Sequence, residues 1–169
     1  MGSQHKGFGS SRVDGTIGSY IISSRVFSPS QYIMRVLLLG ATGNLGRRCI
    51  PALLVHGHIV TVYVRNPTKL KSMMSPSIIE RLESIVVGDA TDPITIAKAI
   101  RDHDIEAIVD VAGNQVFPWQ EYILPKIARA VSDAAIAVGK ERGTPLRVWI
   151  TSGMGILRIP GTPYLAQEL

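Results

Sequence analysis

Residues 36–48 decide the fold, and they read Val-Leu-Leu-Leu-Gly40-Ala-Thr-Gly43-Asn-Leu-Gly46-Arg-Arg. Four consecutive apolar residues are typical of a buried strand. Three regularly spaced glycines follow the strand, and a helical pattern then runs over residues 45–55. A strand, a glycine-rich turn and a helix in this order form the context that a phosphate-binding loop requires.

Each glycine of this loop has a predicted role. Gly40 permits the sharp turn off the strand, Gly43 lets backbone N–H groups approach a pyrophosphate, and Gly46 lets the helix pack closely on the sheet. The helix N-terminus adds unsatisfied donors and a partial positive charge. The sequence therefore predicts a dinucleotide site, and a related domain that has lost its cofactor is the alternative. The predicted loop residues are Gly40, Thr42, Gly43, Asn44, Leu45 and Gly46.

Strands and helices are predicted to alternate along the rest of the chain. The predicted strands cover residues 35–39, 59–64, 84–87, 106–111 and 147–150, and the helices cover 45–55, 68–73, 78–82, 93–103 and 120–140. Such alternation indicates an α/β fold with a parallel sheet covered on both faces. Right-handed crossovers then give a Rossmann-type doubly wound sheet of strand order 3-2-1-4-5.

Residues 1–33 differ from the domain that we predict over residues 34–169. They are rich in Gly and Ser, and they lack a sustained period, so we expect a disordered leader. Two origins stay open: a mitochondrial presequence, or a reading frame that starts upstream of a natural start at Met34. The corresponding locations are mitochondrial and cytoplasmic, and we favour the second.

Composition excludes several classes of protein. No stretch approaches the ~18 apolar residues of a membrane helix, so we expect a soluble protein without a membrane partner. Cys49 is the only cysteine and permits no intramolecular disulfide. The net charge is +5, and residues 15–79 contain no Asp or Glu. Because no nucleic-acid motif accompanies this basic half, a small polyanionic ligand explains it better than DNA or RNA does.

The Gly-x-x-Gly-x-x-Gly spacing, with Ala-Thr after the first glycine, resembles the short-chain dehydrogenase/reductase superfamily. The atypical, NmrA-like branch is the most similar, particularly its fungal members, and the resemblance extends over residues 34–164. The segment Gly-Asp89-Ala90-Thr-Asp resembles the one whose Asp meets the adenine in that family. Asp110-Val-Ala112-Gly113 resembles an Asn-Asn-Ala-Gly motif, with Asp110 and Val111 replacing both asparagines.

The end of the second predicted strand indicates which dinucleotide binds. An NAD site usually has a carboxylate there for the ribose 2′-hydroxyl. This chain has Arg65, followed by Lys69, and both can bind a 2′-phosphate. We therefore predict NADP(H), with NAD(H) as the less favoured cofactor and solvated loop cations as the alternative interpretation.

The catalytic residues of the family are only partly matched. Ser152 occupies the position of the family's serine, and Tyr164 follows at a suitable spacing. Four residues later stands Glu168 where the family has Lys, and a carboxylate there does not promote proton donation by a phenol. A Tyr-x-x-x-Lys pattern does occur at Tyr122 and Lys126. It precedes Ser152, whereas in the family the pair follows the serine.

Two functions of different classes remain from the sequence. One is an NADPH-dependent reductase of a small carbonyl or quinone-like acceptor, and the other is a non-catalytic NADP(H)-binding regulator of the NmrA-like kind. The spacing of the histidines predicts no metal site. The resemblance implies a C-terminally truncated domain, which would leave residues 147–150 as an edge strand and allow a homo-oligomer to form.

Overall fold

The computed structural model describes residues 32–113 and 123–151, which form one parallel five-stranded sheet flanked by helices. The strands are β1 (Arg35–Leu39), β2 (Ile59–Val64), β3 (Ser84–Val87), β4 (Ala107–Asp110) and β5 (Arg147–Ile150). The helices are α1 (Gly46–Val55), α2 (Pro67–Met73), α3 (Pro76–Ile79), α4 (Pro93–Asp102) and α5 (Leu124–Arg142). The strand order is β3-β2-β1-β4-β5, which confirms the predicted Rossmann-type topology.

Helices cover both faces of the sheet, as the apolar β1 sequence predicts. Leu37 and Leu39 pack with α4 and α5, whereas Leu38 packs with α1 and α2. All three leucine side chains are fully buried. Because successive strand residues point to opposite faces, a strand that is apolar throughout needs this double cover.

Polar side chains and proline fix the starts of two helices. Asn66 Oδ1 accepts the Lys69 N–H at 2.9 Å before α2, and Asp92 Oδ1 accepts the Ile94 N–H at 2.9 Å before α4. Proline follows each cap at the first helical position, where its missing N–H costs nothing. These caps begin α2 after a two-residue connection from β2 and α4 after a five-residue connection from β3.

Several predicted boundaries differ from the structure. Helix α3 covers Pro76–Ile79 where residues 78–82 are predicted to be helical, and it begins at Pro76 because proline is favoured at the first helical position. β4 is one residue shorter at each end than predicted. Helix α5 continues two residues beyond its predicted end and stops at Gly143, whose φ of +66° suits glycine. Residues 120–122 of the predicted helix lie outside the described residues.

Helix α5 has an apolar face from Ile127 onward. It is buried against the sheet and α4 and also includes Val138. Within residues 32–113 and 123–151, no helix is long and apolar enough to cross a membrane. Nearly all of the predicted leader lies outside these ranges.

Strand β5 pairs with β4 and has no second partner strand among the described residues. Its Trp149 side chain is 53% exposed, and Val148 is also exposed. An open edge with β-branched and aromatic residues is prone to self-association. The predicted homo-oligomer therefore stays a prediction.

Candidate cofactor-binding site

The loop between β1 and α1 is a tight turn built from backbone hydrogen bonds. The chain turns at Gly40, whose φ is +79°, and the Gly43 N–H donates to the Gly40 carbonyl at 2.9 Å. The Arg47 N–H then donates to the Gly43 carbonyl at 3.1 Å and begins the helical bonding. The loop thus brings the first turn of α1 directly over the end of β1.

Two glycines are required by close backbone contacts. A Cβ on Gly40 would lie 2.5 Å from the Ala112 backbone nitrogen, so Gly40 lets the turn after β4 touch the loop. A Cβ on Gly46 would lie 2.1 Å from the Gly40 carbonyl oxygen. The predicted role of Gly46 is therefore refined: it lets the helix approach the loop backbone at the end of β1.

The loop presents backbone donors that the protein leaves unused. Among the described residues, the N–H groups of Thr42, Asn44, Leu45 and Gly46 have no protein acceptor. Unsatisfied N–H groups at a helix N-terminus, combined with the helix dipole, form a site for an anion. The loop therefore fits a pyrophosphate.

A cleft of about 210 Å³ lies at the carboxyl ends of the strands, beside this loop. Nine of the twelve predicted cofactor residues line it: Gly40, Thr42, Gly43, Arg65, Lys69, Asp89, Ala90, Ala112 and Gly113. Asn44, Leu45 and Gly46 do not line the cleft, and the Leu45 side chain is 45% exposed. Their free N–H groups remain available to a ligand bound at the loop. Any other contact with these three residues requires that the ligand extend over the N-terminus of α1.

Arg65 and Lys69 form a basic rim on the cleft. Arg65 follows β2 directly, and Lys69 lies in the first turn of α2. Neither side chain has an ion-pair partner within 4.0 Å among the residues that the structure describes. Two unpaired cations on the wall of a cleft are suited to a bound anion.

Asp89 lies across the cleft and is held by its own turn. Its Oδ1 accepts the N–H and the hydroxyl of Thr91, both at 2.9 Å. These two hydrogen bonds, helped by the charge of Arg65, lower the pKa of the Asp89 carboxyl below its ordinary value. The resemblance assigned this carboxylate to the adenine, and the structure shows that one of its oxygens is already engaged.

Sequence reasoning missed Tyr63, the fifth residue of β2, which also lines the cleft. Only 2% of this residue is exposed. Its hydroxyl lies 2.6 Å from Thr95 Oγ1 and donates to the Asp89 carbonyl at 3.2 Å. A Cβ on Gly88 would lie 2.1 Å from the Tyr63 oxygen, so the tyrosine requires a glycine there. The sequence signal that could have revealed this contact is a tyrosine near the end of the second strand together with a glycine, Gly88, directly after the third.

Asp110, noted in the sequence only as a replacement for asparagine, is a buried carboxylate at the end of β4. It is 3% exposed, and its Oδ1 accepts the Ala112 N–H at 2.9 Å. Within the described residues this is its one side-chain hydrogen bond, and it has no cationic partner. Burial raises the pKa of Asp110 above its ordinary value, although the Ala112 bond opposes the shift.

The predicted catalytic residues Ser152 and Tyr164, and Tyr122 of the other pair, lie outside the described residues. Their neighbour Thr151 is described, and its N–H donates to the Asp110 carbonyl at 2.9 Å. The chain thus continues toward residue 152 from the same edge of the sheet as the cleft. Among the described residues, no group of three His, Cys, Asp or Glu side chains is arranged to hold a metal.

Comparison with known proteins agrees with the fold and the cleft. The model of a family described as NAD(P)H-binding matches residues 40–163. Phenylcoumaran benzylic ether reductase 1 of Arabidopsis thaliana is 28% identical over 100 residues, which cover 57% of this chain and 32% of that protein. The bifunctional pinoresinol-lariciresinol reductase of Sinopodophyllum hexandrum is 30% identical over 103 residues, with 59% and 33% covered. The chain spans about a third of the length of these curated relatives.

A solved structure is similar in fold. A short-chain type dehydrogenase/reductase from Mycobacterium marinum superposes with a TM-score of 0.61 at 17% identity. The match covers 79% of this chain and 61% of that one. At this identity the likeness concerns the fold alone, and it agrees with the observed strand order.

We expect the substitution Asp110→Asn to stabilise the fold at neutral pH. Because folding raises the Asp110 pKa above its ordinary 3.8, the stability that the protonated form gives is complete below that value and is lost as the pH rises through the folded-state pKa. Asn keeps an acceptor for the Ala112 N–H and cannot ionise. Urea unfolding over about pH 4 to 8 should show an advantage for the variant that grows with pH. A constant difference would contradict the buried charge.

Proposed function

Because the chain belongs to the NAD(P)H-binding family, we propose that it is an NADPH-dependent reductase that binds its cofactor along the carboxyl edge of the sheet. The observation that carries this proposal is the position of the phosphate loop, with its free N–H groups, beside a cleft whose rim carries Arg65 and Lys69. The loop receives the pyrophosphate, and the rim receives a second anionic group of the same ligand. A dinucleotide with an additional phosphate satisfies both.

The preference for NADP(H) over NAD(H) depends on Arg65. In an NAD site, a carboxylate after the second strand would accept the ribose 2′-hydroxyl, and it would repel a 2′-phosphate. Arg65 occupies this region, and its guanidinium has no ion-pair partner within 4.0 Å among the described residues, while Oδ1 of Asp89 is engaged by its two Thr91 bonds. Lys69 adds a second positive charge within the first turn of α2.

The reaction class follows from the relatives, which are both named as reductases. The bound cofactor supplies a hydride, and the acceptor that we propose is a small carbonyl or quinone-like compound. Ser152 is proposed to hold the acceptor oxygen and Tyr164 to donate the proton. The described residues bind and orient the dinucleotide, and Ala112 and Gly113 line the cleft beside the turn that Asp110 fixes.

A second candidate is a non-catalytic NADP(H)-binding regulator. The observation that favours it is Glu168, which stands where a lysine would assist Tyr164. Both candidates use the same cofactor cleft, and they differ in whether hydride leaves the site. Oligomeric state and cellular location are expectations from the sequence under either candidate.

We expect Arg65→Ala to weaken NADPH binding far more than NADH binding. A charge-assisted bidentate contact contributes about 1.5–3 kcal/mol, which corresponds to roughly tenfold to over a hundredfold in affinity. Isothermal titration calorimetry with both cofactors measures the difference. Lys71→Ala, which removes an exposed α2 cation that does not line the cleft, is the matched control. Equal losses for NADPH and NADH would remove Arg65 from 2′-phosphate recognition.

We also expect substitutions at two loop glycines to have different effects, one on binding and one on stability. Gly43→Val should retain the fold and abolish most dinucleotide binding, because a Cβ there lies 3.2 Å from the Gly40 carbonyl and added methyl groups crowd the free N–H groups. Gly46→Ala should instead lower the free energy of unfolding by about 1–3 kcal/mol, since its Cβ overlaps the loop backbone. Titration and urea unfolding separate the effects. Unaltered binding by Gly43→Val would contradict the phosphate loop.

Turnover separates the reductase from the regulator. We expect the full chain to oxidise NADPH in the presence of at least one member of a panel of quinones and aldehydes, as followed by absorbance of the reduced nicotinamide. The Gly43→Val chain is the control for adventitious oxidation. Tight NADPH binding without turnover of any acceptor would favour the regulator.

A further inference from the structure

The segment between β3 and α4, residues 88–91, forms one wall of the cofactor cleft. We call this segment the adenosine wall, because it faces the side of the cleft that carries Arg65 and Lys69, where the proposed function places the 2′-phosphate. Hydrogen bonds from Thr91 to Asp89 shape the wall internally. Those bonds lie within the segment, and at its first residue the Gly88 N–H donates to the Val64 carbonyl of β2 at 3.1 Å.

Tyr63 provides a connection between the wall and the sheet. Its hydroxyl binds the Asp89 carbonyl at 3.2 Å and approaches Thr95 Oγ1, in the first turn of α4, at 2.6 Å. The phenol therefore joins β2, the wall and α4 at one part-buried point. The Asp92 N–H donates to the same Asp89 carbonyl at 3.1 Å, so this carbonyl organises the turn that leads into α4.

The Tyr63 ring packs closely against the backbone of Gly88. Gly88 has no side chain, and the Tyr63 ring fills the space that a Cβ would occupy, with the nearest ring carbon 2.4 Å from that point. Burial raises the pKa of the Tyr63 phenol above its ordinary value, and nearby Asp92 and Asp89 add to the shift against the Thr95 bond. The hydroxyl thus keeps its proton at neutral pH and remains a donor.

We propose that Tyr63 is a positioning residue that holds the adenosine wall against the cleft and thereby sets the affinity for the adenosine half of the dinucleotide. The inference rests on the proposed function for the identity of the ligand. The hydroxyl acts on the ligand through the wall. Without the Tyr63 hydroxyl, the wall loses a side-chain contact to β2 and becomes less ordered. Cofactor binding must then order the wall, and this ordering lowers the affinity.

The test is Tyr63→Phe in the full chain, which removes the hydroxyl and keeps the ring. We expect NADPH and adenosine 2′,5′-bisphosphate to lose affinity by the same factor, about tenfold, because the change is confined to the half that they share. Tyr32→Phe is the matched control, since Tyr32 is exposed and contacts Arg147 through its ring face. Titration calorimetry measures both ligands.

A second readout needs no ligand. Hydrogen exchange at the Thr91 and Asp92 amides should accelerate in Tyr63→Phe and stay at the wild-type rate in Tyr32→Phe. Thr95→Val should resemble Tyr63→Phe, and Thr95→Ser, which keeps a hydroxyl, should restore wild-type exchange and affinity. If Tyr63→Phe folds poorly, the two Thr95 variants test the proposal in its place.

The outcomes distinguish the two proposals. A wild-type chain that binds neither NADPH nor the bisphosphate contradicts the proposed function and the inference with it. Wild-type binding that Tyr63→Phe and Thr95→Val leave unchanged contradicts the inference alone. A loss for NADPH that the bisphosphate does not share would also contradict it, because the effect would then lie outside the adenosine half.

Discussion

The structure depends on a contact between two turns, in which the backbone after β1 packs on the backbone after β4. Gly40 makes the contact possible, because any side chain there would overlap the Ala112 backbone nitrogen, and its φ of +79° is unfavourable for other residues. β1 and β4 are adjacent in the sheet, and the chain leaves β1 in one direction and β4 in the other. The crevice between such diverging connections is where ligands bind in doubly wound sheets. Gly40 therefore lets the loop after β1 and the turn after β4 meet at this crevice.

Much of this arrangement can be predicted from the sequence, because its signals are local. The apolar run, the three glycines and the following helix lie within about twenty residues, and the strands of the sheet are recognisable as short β-branched runs. Handedness of the crossovers then determines the order without further information. The same locality explains why nine predicted cofactor residues meet in one cleft: each lies within five residues of the end of a strand, and all parallel strands end at the same edge.

The features that sequence reasoning missed are long-range. Tyr63 and Gly88 are twenty-five positions apart, and only the packing of β2 beside β3 places the phenol over the glycine. Asp110 is noted in the sequence only as a replacement for asparagine, yet it is 3% exposed at the position where β4 pairs with Ile150 of β5. Neither the contact of Tyr63 with Gly88 nor the burial of Asp110 produces a periodic pattern in the sequence. Each can be recognised only when the spatial neighbours of the residue are known. Both missed residues fix the turns that the local signals predicted, and neither was itself predicted as a binding residue.

The division between local and long-range signals also explains why the cofactor is easier to infer than the acceptor. The pyrophosphate is recognised by backbone N–H groups, and a glycine pattern records their presence in the sequence. The acceptor side of the proposed function depends instead on side chains such as Ser152 and Tyr164, and no comparable glycine pattern records what they would bind. At the carboxyl edge of the sheet, the Thr151 N–H donates to the Asp110 carbonyl, so β5 ends beside β4 at the same edge as the cleft. The phosphate loop and the packed turns can therefore be inferred from the sequence without knowledge of the acceptor.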